Sequence, residues 1–209
     1  EEMYTALSKK HHWATPSDNT EVNYSEAFRC VFESLFRPTD EFLHSTYKSV
    51  GREAVPFAHA VRVAEDPHFT SMAFHHRVDD GTAASNGDFD IVSDKAIMRI
   101  ISIAEKHRVE GKKMNLFFIT NSNASSHKIM HNSWIRQTFH SVYSQELLAT
   151  IHINGAGKEA QVQSTLQAMR DWWIMRLVDI LIGGRTGFSK SAALVAPDDQ
   201  IRYEDEGQA

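Results

Sequence analysis

The run Asp179-Ile-Leu-Ile-Gly-Gly-Arg-Thr-Gly-Phe-Ser189 reads as a strand, a glycine turn and the start of a helix. Its apolar segment, Asp179–Ile182, shows no polar alternation, the pattern of a strand covered on both faces rather than one facing water. Gly183, Gly184 and Gly187 let the backbone come close to a neighbour or a ligand. The hydroxyls of Thr186 and Ser189, with the unpaired N–H groups of a helix expected over Phe188–Ala196, can donate to an anion. The segment lacks the Gly-Lys-Thr/Ser ending of a P-loop and the Gly-x-Gly-x-x-Gly of a dinucleotide turn. Taken alone, it fits a plain strand-to-helix turn as well as an anion cradle.

Outward from this run, strands and helices alternate. A helix over Lys158–Leu177 precedes it, and before that come a strand at Leu147–Ile153 and a helix from about Ser125. A strand at Asn115–Thr120, a helix over Asp94–Arg108 and a strand at Phe69–Arg77 complete the series. Ile97, Ile100, Ile101 and Ala104 give the Asp94–Arg108 helix one apolar stripe. Apolar strands separated by helices predict an α/β fold with a doubly wound, mostly parallel sheet covered on both faces. In the N-terminal part, Ser25 caps a helix through Phe36 with Phe28, Phe32 and Leu35 on one face. Thr39 caps a second helix that Gly51 ends, and Pro56 and Pro67 bracket a mixed stretch. The expected organisation is an irregular lead-in over 1–24, a helical linker over 25–66 and a ligand-binding α/β domain over 67–209 with an acidic, solvated tail after Pro197.

Composition narrows the function. The 209 residues are 42% hydrophobic and 23% charged, proportions of a folded domain rather than a disordered tail. A net charge of -5 argues against general nucleic-acid binding while leaving room for a local basic cleft. Cys30 is the only cysteine, which excludes an internal disulfide and a Cys-based zinc site. The apolar runs Leu116–Ile119 and Ala192–Ala196 fall far short of the roughly 18 residues of a membrane span. The chain opens Glu1-Glu2 rather than with Met, which leaves room for an upstream segment and any targeting signal in it.

Ligands of such sheets sit outside the carboxyl ends of the strands, which directs attention to a few clusters. At the end of the first strand stands His75-His76-Arg77-Val78-Asp79-Asp80, where Arg77 can present a planar charged fork to a phosphate or form a surface ion pair. His75, His76, Asp79 and Asp80 together are also a potential metal-ligand set, and His127 and His131 have the i, i+4 spacing of helical chelation, against which scattered exposed histidines are the plainer reading. Asp171, within Ala-Met-Arg-Asp-Trp-Trp, can accept the paired donors of guanine, or pair with Arg170 or Arg176 on the helix surface. Trp172 and Trp173 serve as core aromatics or as a sugar platform. His152 and Asn154 follow the third expected strand.

In order and spacing, these segments resemble the fucosyltransferase-like superfamily, which takes in the core α-1,6-, α-1,2- and protein O-fucosyltransferases and the nodulation fucosyltransferase. His75-x-Arg77-x-x-Asp80 after a strand is similar to its first signature. Asp171, then Asp179, then Arg-Thr-Gly-Phe-Ser-Lys-Ser-Ala-Ala193 is similar to its closing one. Phe28-Arg-Cys-Val-Phe-Glu-Ser-Leu-Phe-Arg-Pro-Thr39 resembles the linker helix of eukaryotic members, so the likeness covers roughly 26–196.

The resemblance implies the C-terminal, Rossmann-like donor-binding half of a GT-B glycosyltransferase. Such an enzyme transfers a sugar, usually from GDP-fucose, with inversion and without a required metal or cofactor, to a glycan or glycoprotein acceptor. It implies the secretory pathway, Golgi or endoplasmic reticulum lumen, as the location. Arg77 would hold the diphosphate and act as the catalytic cation, and His75 would line the donor pocket. Asp171 would read guanine, and Thr186, Gly187, Phe188 and Ser189 would wrap the phosphates. Asp79 departs from the small residue or threonine usual in the family, and Asp80, Asp88, Asp90 and Asp94 make the following loop acidic. The acceptor domain and any base would lie upstream of Glu1. The competing expectations are a non-catalytic nucleotide-sugar-binding or interaction domain of the same fold, and a metal-dependent hydrolase built on His75, His76, Asp79 and Asp80.

Overall fold

The computed structural model of the chain describes residues 24–77, 91–146, 158–183 and 187–204. The chain divides into two compact units, one reaching Arg37 and one beginning at Pro38. In the first, helix α1 (Tyr24–Leu35) has Phe32 stacked on Phe36 at 5.0 Å, with Leu35 and Phe36 largely exposed.

The second unit is built on five strands: β3 (Phe69–His76), β4 (Lys113–Thr120), β5 (Ser141–Tyr143), β6 (Ile180–Gly183) and β7 (Ile201–Glu204). All pair in parallel, in the order β5-β4-β3-β6-β7. Helices α4 (Asp94–Lys106), α5 (Asn123–His131) and α6 (Ser133–Thr138) connect β3 to β4 to β5. Helix α7 (Lys158–Leu177) and helix α8 (Gly187–Leu194) carry the chain to β6 and then β7. Alternation along β3 divides the core into two layers. Met72 and Phe74 pack with Ile97, Ile100, Ile129 and Ile135 of α4 to α6. Ala73 packs on the opposite face with Ile174, Met175 and Ala192 of α7 and α8. The doubly wound parallel α/β sheet expected from the sequence is therefore present, with its reversal point between β3 and β6.

Several elements differ from the expectations. The third strand of the sheet is β5, whereas the segment expected at 147–153 lies outside the described residues. The single helix expected after Ser125 is two, because Asn132 ends α5 and its side chain caps α6 by accepting from the N–H groups of Trp134 and Ile135. The helix capped by Thr39 is only α2 (Asp40–His44). A two-stranded ribbon follows, β1 (Thr46–Tyr47) against β2 (Val55–Pro56), then helix α3 (Phe57–Glu65). Phe57, Ala60 and Ala64 are buried in the α7 layer, and residues 38–66 fall in the same compact unit as the sheet. The segment after Pro197 is not wholly a solvated tail. It supplies β7, held by Gln200, whose Nε2 donates to the carbonyls of Met175 and Val178 at 2.9 Å each.

Candidate functional site

Strands β3 and β6 are neighbours whose flanking helices depart to opposite faces, and this opens a crevice at their carboxyl ends. His75 points to the α8 side, where its ring meets Phe188 at 5.6 Å and 56°. It is 5% exposed, and its Nδ1 has no hydrogen-bond partner among the described residues. Burial first, then the charges of Arg77 and His76, lowers its pKa to about 4, so the imidazole is neutral near pH 7. A neutral ring beside Phe188 can donate or accept one hydrogen bond but adds no charge. Arg77 is the first residue beyond the strand and is exposed. It places a cation at the end of β3.

His76 faces the other way, stacked on Phe74 at 5.9 Å and Phe118 at 6.3 Å. Adjacent strand residues point to opposite faces, so His75 and His76 do not converge on one ion. Asp79 and Asp80 lie outside the described residues, as do Asp88, Asp90, His152 and Asn154. Asp94, at the start of α4, pairs with Lys128 at 2.8 Å. His127 and His131 stack in parallel at 5.2 Å, with His131 Nδ1 donating to the His127 carbonyl. Among the described residues no group of three or more His, Cys, Asp or Glu could hold a metal. No described helix is long and apolar enough to cross a membrane.

Across the crevice, Gly187 opens α8, and Phe188 and Ser189 occupy its first turn; Thr186 lies outside the described residues. Ser189 is 2% exposed and packs directly on β6. A Cβ added to Gly183 would stand 3.1 Å from both Cβ and Oγ of Ser189. The glycine at that position is what lets the helix start so close to the strand end. Gly183→Ala is expected to cost roughly 1–2 kcal/mol by overpacking. A urea titration checks this, and an unchanged midpoint would mean that α8 is free to move away.

Asp171 is held near the end of β5. Its Oδ1 accepts from Gln145 Nε2 at 2.6 Å, two residues beyond the edge strand β5. Gln145 Nε2 also donates to the Gln167 carbonyl at 3.2 Å, and Arg170 Nε donates to Ser45 Oγ at 3.0 Å. Burial raises the carboxyl pKa to about 7, against the opposing hydrogen bond from Gln145 and the charge of Arg170. Tyr47 is pushed well above its ordinary value by burial and by Asp171. These groups brace α7 against the β1 region and the end of β5. Asp171 thus has Gln145 as its hydrogen-bond partner, while Arg176 lies over the Trp173 ring at 4.7 Å. Trp172 donates from Nε1 to Ser191 Oγ at 3.0 Å, and both tryptophans pack against the α7 and α8 layer rather than forming an open platform. Asp179, the other acid of the closing motif, accepts from the Ser71 N–H at 2.7 Å at the amino ends of β3 and β6, which joins the two strands.

The fold and crevice define a doubly wound α/β layer with a cationic, glycine-rimmed opening at its reversal point. No protein-family model and no curated protein sequence matches the chain. Among solved structures, it is similar to the fucosyltransferase NodZ from Bradyrhizobium at 15% identity, covering 68% of this chain and 41% of that one, with a TM-score of 0.42. A NodZ α-1,6-fucosyltransferase crystal soaked with GDP-fucose matches at 14% identity over 66% of this chain and 40% of that one, also with a TM-score of 0.42. The chain thus spans about two fifths of the length of these structures.

Proposed function

We propose that the chain is the donor-binding half of a glycosyltransferase that takes a GDP-sugar, GDP-fucose foremost, and transfers the sugar with inversion. The observation that carries this reading is the meeting of two motifs at the reversal point, His75 and Arg77 at the end of β3 and Gly187 to Ser189 at the start of α8. Departure of a nucleoside diphosphate builds negative charge on the β-phosphate. A guanidinium and helix N–H groups fixed in advance at that point lower the barrier without a metal. His75, held neutral, serves as a hydrogen-bonding wall of the pocket. The guanine preference rests on the likeness of these motifs to the fucosyltransferase-like superfamily and not on Asp171, whose Oδ1 accepts from Gln145.

The test is nucleotide selectivity. GDP is expected to bind at least about tenfold tighter than ADP or UDP, a difference of about 1.4 kcal/mol. Titration calorimetry of the three nucleotides checks it. Equal affinities would remove the guanine preference and leave only a general diphosphate site.

A further inference from the structure

A cleft of about 400 Å³ opens beside the edge strand β5, two strands away from the reversal point. Its rim is the Val50-Gly51-Arg52 turn on one side and the residues around His131 and Arg136 of α5 and α6 on the other. Met130 and the buried Phe139 and Val142 give it an apolar lining. The charge of this lining is one-sided: it contains Arg52 and Arg136 but no Asp or Glu. Elsewhere on this negatively charged chain, several cations are answered, as in Lys48–Glu146 at 2.7 Å and Arg108–Glu105 at 2.7 Å. The guanidinium groups of Arg52 and Arg136 make no hydrogen bond or ion pair with a described residue.

Arg52 is nonetheless held in place. Gly51 has φ 70, a left-handed conformation that suits glycine, and it turns the chain so that the Arg52 guanidinium lies over the Tyr143 ring at 4.7 Å. A guanidinium stacked by its face keeps its N–H edge free to meet a planar or tetrahedral oxyanion. Part of the charge on Arg136 answers the carbonyl end of α6, where it occupies the last turn. Arg52 has no such helix end to serve. We propose that this cleft is a second binding site, for a small ligand that joins an oxyanion group, phosphate or carboxylate, to an apolar body. The oxyanion would meet Arg52 and Arg136, and the body would rest on Phe139 and Val142. The volume fits a small molecule. An extended peptide is disfavoured, because beyond the three residues of β5 the edge is already taken by Ser49 pairing with Gln145 and by Val50 donating to the Ser144 carbonyl at 2.8 Å.

The probes are phenyl phosphate, benzoate and inorganic phosphate, titrated by calorimetry into the Arg77→Ala protein so that the reversal-point crevice does not contribute. Saturable millimolar or tighter binding of phenyl phosphate is expected, tighter than inorganic phosphate because of the apolar lining. Arg52→Gln with Arg136→Gln should weaken it about tenfold or more. Arg108→Gln, which removes the same charge at a distant ion pair, should leave it unchanged. Comparable binding of benzoate identifies a carboxylate site, and its absence a phosphate site. In parallel, amide resonances of Gly51, Arg52 and Ser141 should shift on addition of phenyl phosphate to the unmutated chain. Absence of saturable binding, an equal loss in Arg108→Gln, or shifts confined to Gly187–Ser189 would overturn the proposal.

Discussion

Replacing Arg77 with alanine is expected to weaken GDP binding by about 1.5–3 kcal/mol, roughly ten- to a hundredfold, the range of a charged hydrogen bond. The size follows from its surroundings. Arg77 stands just past β3, and His75, two residues before it, is neutral and so does not replace its charge. Arg77→Lys should recover little, because a point charge does not reproduce a fork that meets two phosphate oxygens at once. The side chain is exposed and outside the core, so the thermal midpoint of the variant should stay close to that of the parent. Calorimetry on folded protein reads the loss directly. An unchanged GDP affinity in Arg77→Ala would take this residue, and with it the transferase reading of the crevice, out of consideration.

The second large effect belongs to Asp171 and is read as stability against pH. Its folded pKa of about 7 lies above the ordinary 3.8, so the native state holds a proton that the unfolded chain releases more easily. Stability is therefore highest below about pH 4 for this group, falls as pH rises towards 7, and levels off above that. This is the reverse of a carboxylate stabilised by an ion pair. Each tenfold change in proton affinity is worth about 1.4 kcal/mol, so the loss over that window is roughly 3–4 kcal/mol. Asp171→Asn keeps an oxygen for the Gln145 amide and has no charge to bury. Denaturant titrations from pH 4 to 8 should show a flatter profile for the variant and a higher stability than the parent at pH 8. Parallel profiles would mean that the carboxyl is solvated.

Much of the sheet is legible in the sequence because its long strands are unbroken apolar runs. The two buried layers of Phe69–His76 and Lys113–Thr120 leave little choice of structure. The crevice was legible for a related reason, since Arg77 and the Gly183–Ser189 turn stand at strand ends that topology must bring together. Other features depend on partners far along the chain. Nothing near Asp171 announces Gln145, and nothing near Arg170 announces Ser45, 125 residues away. Strand β5 is too short to show a period, and β7 takes its place by pairing with β6 after an acidic stretch. Asn132 could have been recognised as a cap, but the helical pattern continues across it.

The pairing of β3 with β6 also governs the order in which the molecule assembles. Ser71 and Asp179 are 108 residues apart, and among the described residues β4, β5 and four helices lie between them. Local helices form early, whereas closing a loop of that length carries an entropic cost before any contact across it is gained. The halves of the crevice are thus late to meet. A growing chain has Arg77 long before it has Ser189, and until β6 docks, the hydrophobic side of β3 that Leu181 and Ala192 will cover is open to other chains. Ligand affinity at the reversal point therefore doubles as a report that the last long-range pairing has closed.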